Sequence, residues 1–344
     1  MTEQRNPLPH FLTARALSVL GDRVTDVVLP LAVLAASGSA VTAGAVGAAA
    51  QLPLVLLALV TGTGDAVFHA AAGRYLPSLV GDRDLMRANG LVEGSDAAAT
   101  MTGPAAGGWL LGSMGPLVAF AVNAVSFVAS AVLLARLPTN VPALEESDED
   151  ESVLAGLRLV RRERAQAVLL AGACYLHLLA AATLLPLLVR ADEELGLTPL
   201  TTGLIVSAAG LGGPVSSFVL ARFGDILRWP LLLAVVLSVN GGAAGMLALF
   251  DAALWLAATV LVLDGASALG FIVVATTRQR VTPDALRGRV FAASTAATAT
   301  VRMLGLAGAG GLIGAVGPRP VLLALAALAL PFALLLVLAG SARG

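Results

Sequence analysis

Apolar runs long enough to cross a lipid bilayer follow one another along almost the whole of this sequence, and no other feature restricts the fold so severely. A crossing needs roughly 20 mostly apolar residues to span about 30 Å of hydrocarbon. The runs reach that length and are too long for the strands of a membrane barrel. Inside hydrocarbon a backbone must satisfy its own hydrogen bonds, so each run is a helix. With 58% of residues hydrophobic and 12% charged, a water-soluble fold would expose apolar surface it could not hide. The fold class expected is all-α: a polytopic membrane protein with about ten crossings. They fall near 11–36, 43–70, 88–113, 116–137, 166–189, 200–221, 229–250, 252–276, 289–314 and 317–340.

One stretch occurs twice. From Asp84 the chain reads D-L-M-R-A-N-G-L, an apolar run, then G-G-W-L-L-G-S-M-G-P. From Asp284 it reads D-A-L-R-G-R-V-F, an apolar run, then G-G-L-I-G-A-V-G-P. The pairs are Asp84 with Asp284, Arg87 with Arg287, Gly107-Gly108 with Gly310-Gly311, and Gly115-Pro116 with Gly317-Pro318. Each copy reads as a charged loop, a small-residue helix, a tight turn and a second helix. A repeat this long implies two related halves, and duplicated membrane halves are how secondary transporters are built. The expected division is a shortened first bundle of about four crossings over 1–137, a linker over 138–164, and a six-helix bundle over 165–344. The linker opens with an acidic tether, E-E-S-D-E-D-E, and continues into an amphipathic stretch suited to the inner leaflet surface.

Arginine placement sets the orientation. Arginines crowd the segments near 74–87, 136–164, 222–228 and 278–289, whereas the loops on the other side carry Arg190 and Arg319. The crowded side is the cytoplasmic one, and both termini lie there. All 21 basic residues are arginine and the net charge is −1, so no electrostatic case for a nucleic-acid partner exists. Cys174 is the one cysteine, which excludes an intrachain disulfide and a cysteine metal site. The run G-A-G-G-L-I-G at Gly308–Gly314 has no strand before it and reads as helix packing, not a dinucleotide fingerprint. With no phosphate-binding loop, no metal cluster and no nucleophile–base pair, neither ATP, a metal, a cofactor nor an enzyme activity is expected.

Charges inside the crossings cost on the order of 2.5–3.5 kcal/mol each on insertion scales, so each calls for a partner or a task. Asp22 and Asp26 share one face of the first helix, about 15–20 Å from its inner end. In low dielectric a carboxylate pairs with a cation or takes a proton. Asp22 and Asp26 are therefore either the proton and substrate pathway of a carrier or a structural pairing with Arg23 or Arg15. Glu93 and Asp96 share a face nearer the inner end of the third crossing, as part of a gate or simply facing water. Asp264 and Arg302 lie mid-crossing in the second half, and a buried pair between them is the reading preferred here, because each alone is costly. The other reading gives Arg302 an anionic substrate group to bind. Arg87, Asp225, Asp284 and Arg287 belong to the cytoplasmic loops. Gly90, Gly103, Gly107 and Gly108 permit close helix approach, and Pro104 opens the hydrogen-bond ladder into a bend.

These residues resemble the major facilitator superfamily, and within it the bacterial branch of drug and macrolide-efflux proteins and the enterobactin exporter. The carrying stretches are L-G-D-R in the first crossing, L-P-S-L-V-G-D-R-D-L-M-R-A-N-G-L, T-G-P-A-A-G-G, and T-P-D-A-L-R-G-R-V-F. The third crossing follows that family's antiporter motif at Gly90, Gly103, Pro104, Gly107 and Gly108, with Ala99 in place of one glycine. The resemblance implies a secondary active transporter of the bacterial cytoplasmic membrane, exporting an amphipathic small molecule (drug, macrolide or siderophore) by alternating access, with protons as coupling ion. It also implies that the bend packs the third crossing against a helix of the other half. Family members have twelve crossings. From Ala49 to Arg74 is 25 residues, whereas the corresponding stretch from Ala208 to Arg278 is 70. The shortfall is about two crossings, as if two helices had fused near Leu52–Gly64. The alternative function is therefore a truncated, transport-incompetent relative serving as a membrane interaction protein or without a role.

Overall fold

The computed structural model describes residues 8–61, 64–136, 160, 162–223, 228–282 and 287–341. Among them no strand occurs. The helices are α1 (Leu8–Ser37), α2 (Ala40–Thr61), α3 (Gly64–Leu134), α4 (Arg164–Val189), α5 (Pro199–Ser207), α6 (Gly212–Phe223), α7 (Trp229–Leu249), α8 (Ala253–Val281), α9 (Arg287–Val316) and α10 (Pro318–Ser341). A wider π turn, Arg190–Glu194, extends α4, and the 3-10 turn Ala208–Leu211 joins α5 to α6. Six described helices are long and apolar enough to cross a membrane by length and composition. The two short helices and their 3-10 turn occupy the crossing expected over 200–221. The linker, apart from its last residues, lies outside the described residues.

A straight helix with the length of α3 would run about 105 Å, far beyond any bilayer. It does not run straight. Gly115 takes φ 82°, a left-handed turn that stops a helix, and Pro116 cannot continue the ladder behind it. The contacts show the reversal. Gly103 packs on Leu20 and Arg23 of α1, while Asn123 donates from Nδ2 to Thr25 Oγ1 at 2.7 Å. On one straight helix residues 103 and 123 would stand about 30 Å apart, yet both meet the same turn of α1. So α3 is a hairpin, and Val24 and Val28 are covered from both arms by Leu110 and Ala119.

Residues 62 and 63, at the edge of the fusion expected near Leu52–Gly64, lie outside the described residues. One expectation needs correction. The charged stretch from Asp84 to Arg87, expected as a loop, is helical within α3; its alanine, leucine, methionine and arginine residues are good helix formers.

The duplication is visible in the backbone. All positive-φ residues described are glycines, Gly38, Gly115, Gly196 and Gly317, and they end α1, the first arm of α3, the α4 extension and α9. They form two matched pairs, one in each half, and mark one end of the bundle. Helix packing repeats likewise. Gly310 of α9 lies where a side chain would meet the Ala40 carbonyl oxygen of α2 at 2.8 Å, and a Cβ at Gly108 of α3 would collide with the Pro199 carbonyl oxygen of α5. Ala40 and Pro199 are equivalent when Thr42 is aligned with Thr201. The repeat therefore pairs Gly108 with Gly310, one residue off the register read from the glycine doublets. The turns agree, because Gly115 follows Gly108 by the same interval as Gly317 follows Gly310.

The two contacts, α2 on α9 and α3 on α5, join the halves. Gly203 of α5 meets the Pro104 carbonyl, and Gly210 meets Met101. The Ala105 backbone N–H, next to Pro104, donates to Ser207 Oγ at 3.0 Å. Substituting Gly108 by alanine is expected to cost about 1–3 kcal/mol by overpacking against rigid backbone. Gly112→Ala is expected to be nearly neutral, since its Cβ meets only Pro199 ring atoms at 3.8 Å. Thermal unfolding of the purified variants in detergent checks the contrast.

The second half has its own core, where Leu169, Leu176 and Leu179 of α4 pack with Leu233 and Leu237 of α7, Val273 of α8 and Ala329 of α10. Between the halves, toward the glycine-turn end, apolar side chains form a seal. Val27 and Leu31 of α1 meet Leu188 of α4. Leu34, Ala40 and Ala43 pack with Leu185, Val189 and Ile313.

Candidate functional site

The in-membrane charges sit on the far side of that seal from the glycine turns. Counted along their helices, Asp26, Arg302 and Asp264 lie about 16–22 Å from the turn end, which is mid-membrane depth. Three elements carry them: α1 brings Asp22, Arg23 and Asp26, α8 brings Asp264, and α9 brings Arg302.

The expected Asp264–Arg302 pair is not formed. Helix α8 packs on α4, α6 and α7, whereas α9 packs on α2 and α4, so the two residues do not share a helix interface. The cation whose field acts on Asp264 is Arg23. Arg302 feels Asp26 and, repulsively, Arg23. Charges from the two halves are thus arranged crosswise around Arg23 and Asp26, which are themselves bonded at 3.2 Å one helical turn apart.

Glycines place these groups. Arg23 Cβ occupies the space that a side chain at Gly103 would need, and Asp264 Oδ2 lies 2.6 Å from where a Cβ on Gly212 would sit. The T-G-P-A-A-G-G run therefore seats the arginine as well as the helix contact. Arg23 Nε is buried without a hydrogen-bond partner, which leaves it one donor free. Asp22, next in the chain, is drawn into the same field by Asp26 and Arg23.

Other predicted residues fall elsewhere. Asp96 binds Arg15 of α1 through both carboxylate oxygens, Nε–Oδ1 at 3.2 Å and Nη2–Oδ2 at 2.6 Å. It ties α1 to α3 within the first half, and Arg15 is thereby taken from Asp22 and Asp26. Gly107 packs on Val24 of α1 and Gly108 on α5. Asp225 and Asp284 lie outside the described residues. So do the side chains of Arg87, Glu93 and Arg287 and the surroundings of Gly90, although all four are helical.

A second cluster was not anticipated as a unit. Arg190, fully buried, donates from Nη1 to the carbonyls of Leu247 (2.8 Å) and Phe250 (2.6 Å) and from Nη2 to Asp251. Its Nε lies 3.2 Å from Glu194 Oε2. Arg319 closes the ring with Glu194 at 2.7 Å and Asp251 at 3.0 Å. This ring binds the ends of α4, α7 and α10 at the glycine-turn end. The four-residue spacing of Arg190 and Glu194 was the signal for it in the sequence.

No group of side chains able to hold a metal ion occurs among the described residues. The model of the family described as "transmembrane secretion effector" matches residues 5–343. No curated protein matches the chain significantly. Among solved structures, a bacterial homologue of the iron transporter ferroportin in the inward-facing state is 17% identical, with 98% of this chain and 100% of that chain covered and a TM-score of 0.69. In an outward-facing state with soaked iron, such a homologue is 19% identical, with 98% and 99% covered and a TM-score of 0.54. A bacterial homologue of the human lysosomal transporter Spinster, inward-facing and occupied, is 14% identical, with 98% and 96% covered and a TM-score of 0.66. At these identities the likeness is one of fold.

Proposed function

Since the chain belongs to the transmembrane secretion effector family of the major facilitator superfamily, we propose that this transporter exports an amphipathic small molecule, coupled to protons, by alternating access between its halves. What supports the reading is a crosswise electrostatic pattern, in which the field of Arg23 acts on Asp264 and that of Asp26 on Arg302. Every charge in it has its opposite number across the gap between the halves, so a relative movement of the halves changes each charge's partner. That is the coupling a carrier needs, because protonation then has a differential effect on two states.

The apolar seal toward the glycine turns fits a state open on the other side. The higher TM-score to the inward-facing structure than to the outward-facing one, 0.69 against 0.54, supports that assignment. By arginine placement the open side is the cytoplasm, the side from which an exporter loads. We assign the protein to the bacterial cytoplasmic membrane with both termini inside, with a first half over 1–137 shortened by two crossings, a linker over 138–164 and a second half over 165–344.

The test is proton movement in liposomes holding the purified protein, driven by a panel of amphipathic drugs, macrolides and siderophores. Substrate-dependent proton flux that is lost in Asp26→Asn is the expected result. No flux with any compound, while a form carrying the two further crossings does transport, would sink the reading in favour of a transport-incompetent membrane protein.

A further inference from the structure

A lane of positive charge runs along the inner wall of the second half. Asp264, Phe271 and Arg278 recur every seven residues along α8 and so lie on nearly one face. Arg278 is at the cytoplasmic end of that face, about 20 Å from Asp264. Its Nε and Nη2 are buried and have no hydrogen-bond partner. From α4, the His177 ring lies over Phe271 with centroids 4.7 Å apart. It is within the fields of both Arg278 and Arg302, and α4 packs on both helices that carry them, α8 and α9. Cys174, one turn toward the inner end, is within the field of Arg278. Among the described residues no carboxylate acts on Arg278, and the one acting on Arg302 is Asp26 of the other half.

A guanidinium held in a low-dielectric site without a counter-ion is costly, and Arg278, with two buried donors unpartnered, makes its site one built for an anion that comes and goes. Resting on the carrier reading above, we infer that Arg278, His177 and Arg302 bind the anionic group of the transported molecule, a carboxylate or phosphate on an apolar body that packs on Phe271. Arg278 captures it at the inner mouth. Arg302 receives it at mid-membrane, where the anion displaces Asp26 and leaves that carboxylate free to take a proton.

Cys174 is the chain's one cysteine and reports on the lane directly. The full-length protein in phosphatidylcholine nanodiscs is treated with anionic 2-sulfonatoethyl and with cationic 2-trimethylammonioethyl methanethiosulfonate. Each rate is divided by the rate of the same reagent with 2-mercaptoethanol. The anionic-to-cationic ratio is expected to fall at least tenfold in Arg278→Gln and to be kept in Arg278→Lys, which also shows that the site folds. Decanoate is expected to slow the reaction of Cys174 with neutral N-ethylmaleimide where decanol does not. An unchanged ratio in Arg278→Gln, no reaction at Cys174, or equal protection by decanol overturns the inference. So does protection that arises from added phosphatidylglycerol alone, which would give the lane to a lipid headgroup. The labelling needs no turnover. A charge-selective Cys174 in a protein that moves no protons would sink the carrier and leave the anion lane standing, and the reverse result would do the opposite.

Discussion

Replacing Arg190 by methionine is expected to destabilise the protein by about 3–5 kcal/mol and to lower its apparent melting temperature in detergent by roughly 10 °C. The side chain is fully buried, and it satisfies two carbonyl groups that the end of α7 cannot satisfy for itself, those of Leu247 and Phe250. Methionine restores the volume but none of the donors, and the last carbonyls of a helix need partners. Asp251 and Glu194 would keep only Arg319, which is exposed. The comparison that isolates burial is Arg319→Met, which removes the same carboxylate contacts from the solvent side. A far smaller change is expected there, since exposed ion pairs are screened. Arg190→Lys is expected to recover little, because one ammonium cannot span both carbonyls and Asp251 as a planar guanidinium does. Equal losses for Arg190→Met and Arg319→Met would show that the ring acts as a surface feature, contrary to the buried geometry.

What could be read in the sequence follows from where its information lies. The apolar runs announced the membrane helices because hydrocarbon leaves a backbone no other choice. The turns at Gly115 and Gly317 were legible because a glycine followed by proline after a small-residue helix has few conformations open to it. The duplication was legible for the same reason, since both copies kept their turn. The register of the repeat was not, because adjacent glycines in a doublet look alike until a neighbour picks one; Pro199 picks Gly108 and Ala40 picks Gly310. Partners of the in-membrane charges were the least legible. The preference for Asp264 with Arg302 rested on both being in the second half. The helices that carry them pack on different neighbours, and nothing local to residue 264 says that the cation acting on it is residue 23. Arg15 illustrates the same point, because its partner Asp96 is on a different helix from the acids nearest in sequence. Composition fixes that a buried charge must find a partner, but the topology decides which one.

Asparagine at position 264 is expected to reduce transport a hundredfold or more, and glutamine at position 23 by a similar factor. In the folded protein Arg23 is bonded to Asp26, keeps a buried Nε without a partner, and supplies the field felt by Asp264. Neutralising Arg23 leaves the half-buried Asp264 without the cation whose field acts on it, and an uncompensated buried charge costs about 3–5 kcal/mol, a factor of roughly a hundred or more in an equilibrium. The cost falls on whichever conformation brings α1 and α8 together, so it acts on the conformational cycle and leaves global folding largely intact. That separates the two expectations by measurement: Arg190→Met lowers the melting temperature, whereas Asp264→Asn lowers flux with the melting temperature nearly unchanged. The double variant Arg23→Gln with Asp264→Asn removes both members, and Asp26 loses its bond to Arg23 in it as in the single Arg23→Gln variant. If the residues act as a pair, its flux exceeds the product of the single effects by at least tenfold, a coupling of about 1.4 kcal/mol or more. It remains uncoupled from protons if Asp264 carries the proton, so substrate then equilibrates without driving any pH change. Strictly additive losses would mean that Arg23 and Asp264 act separately, and the crosswise field between the halves would lose its role in coupling.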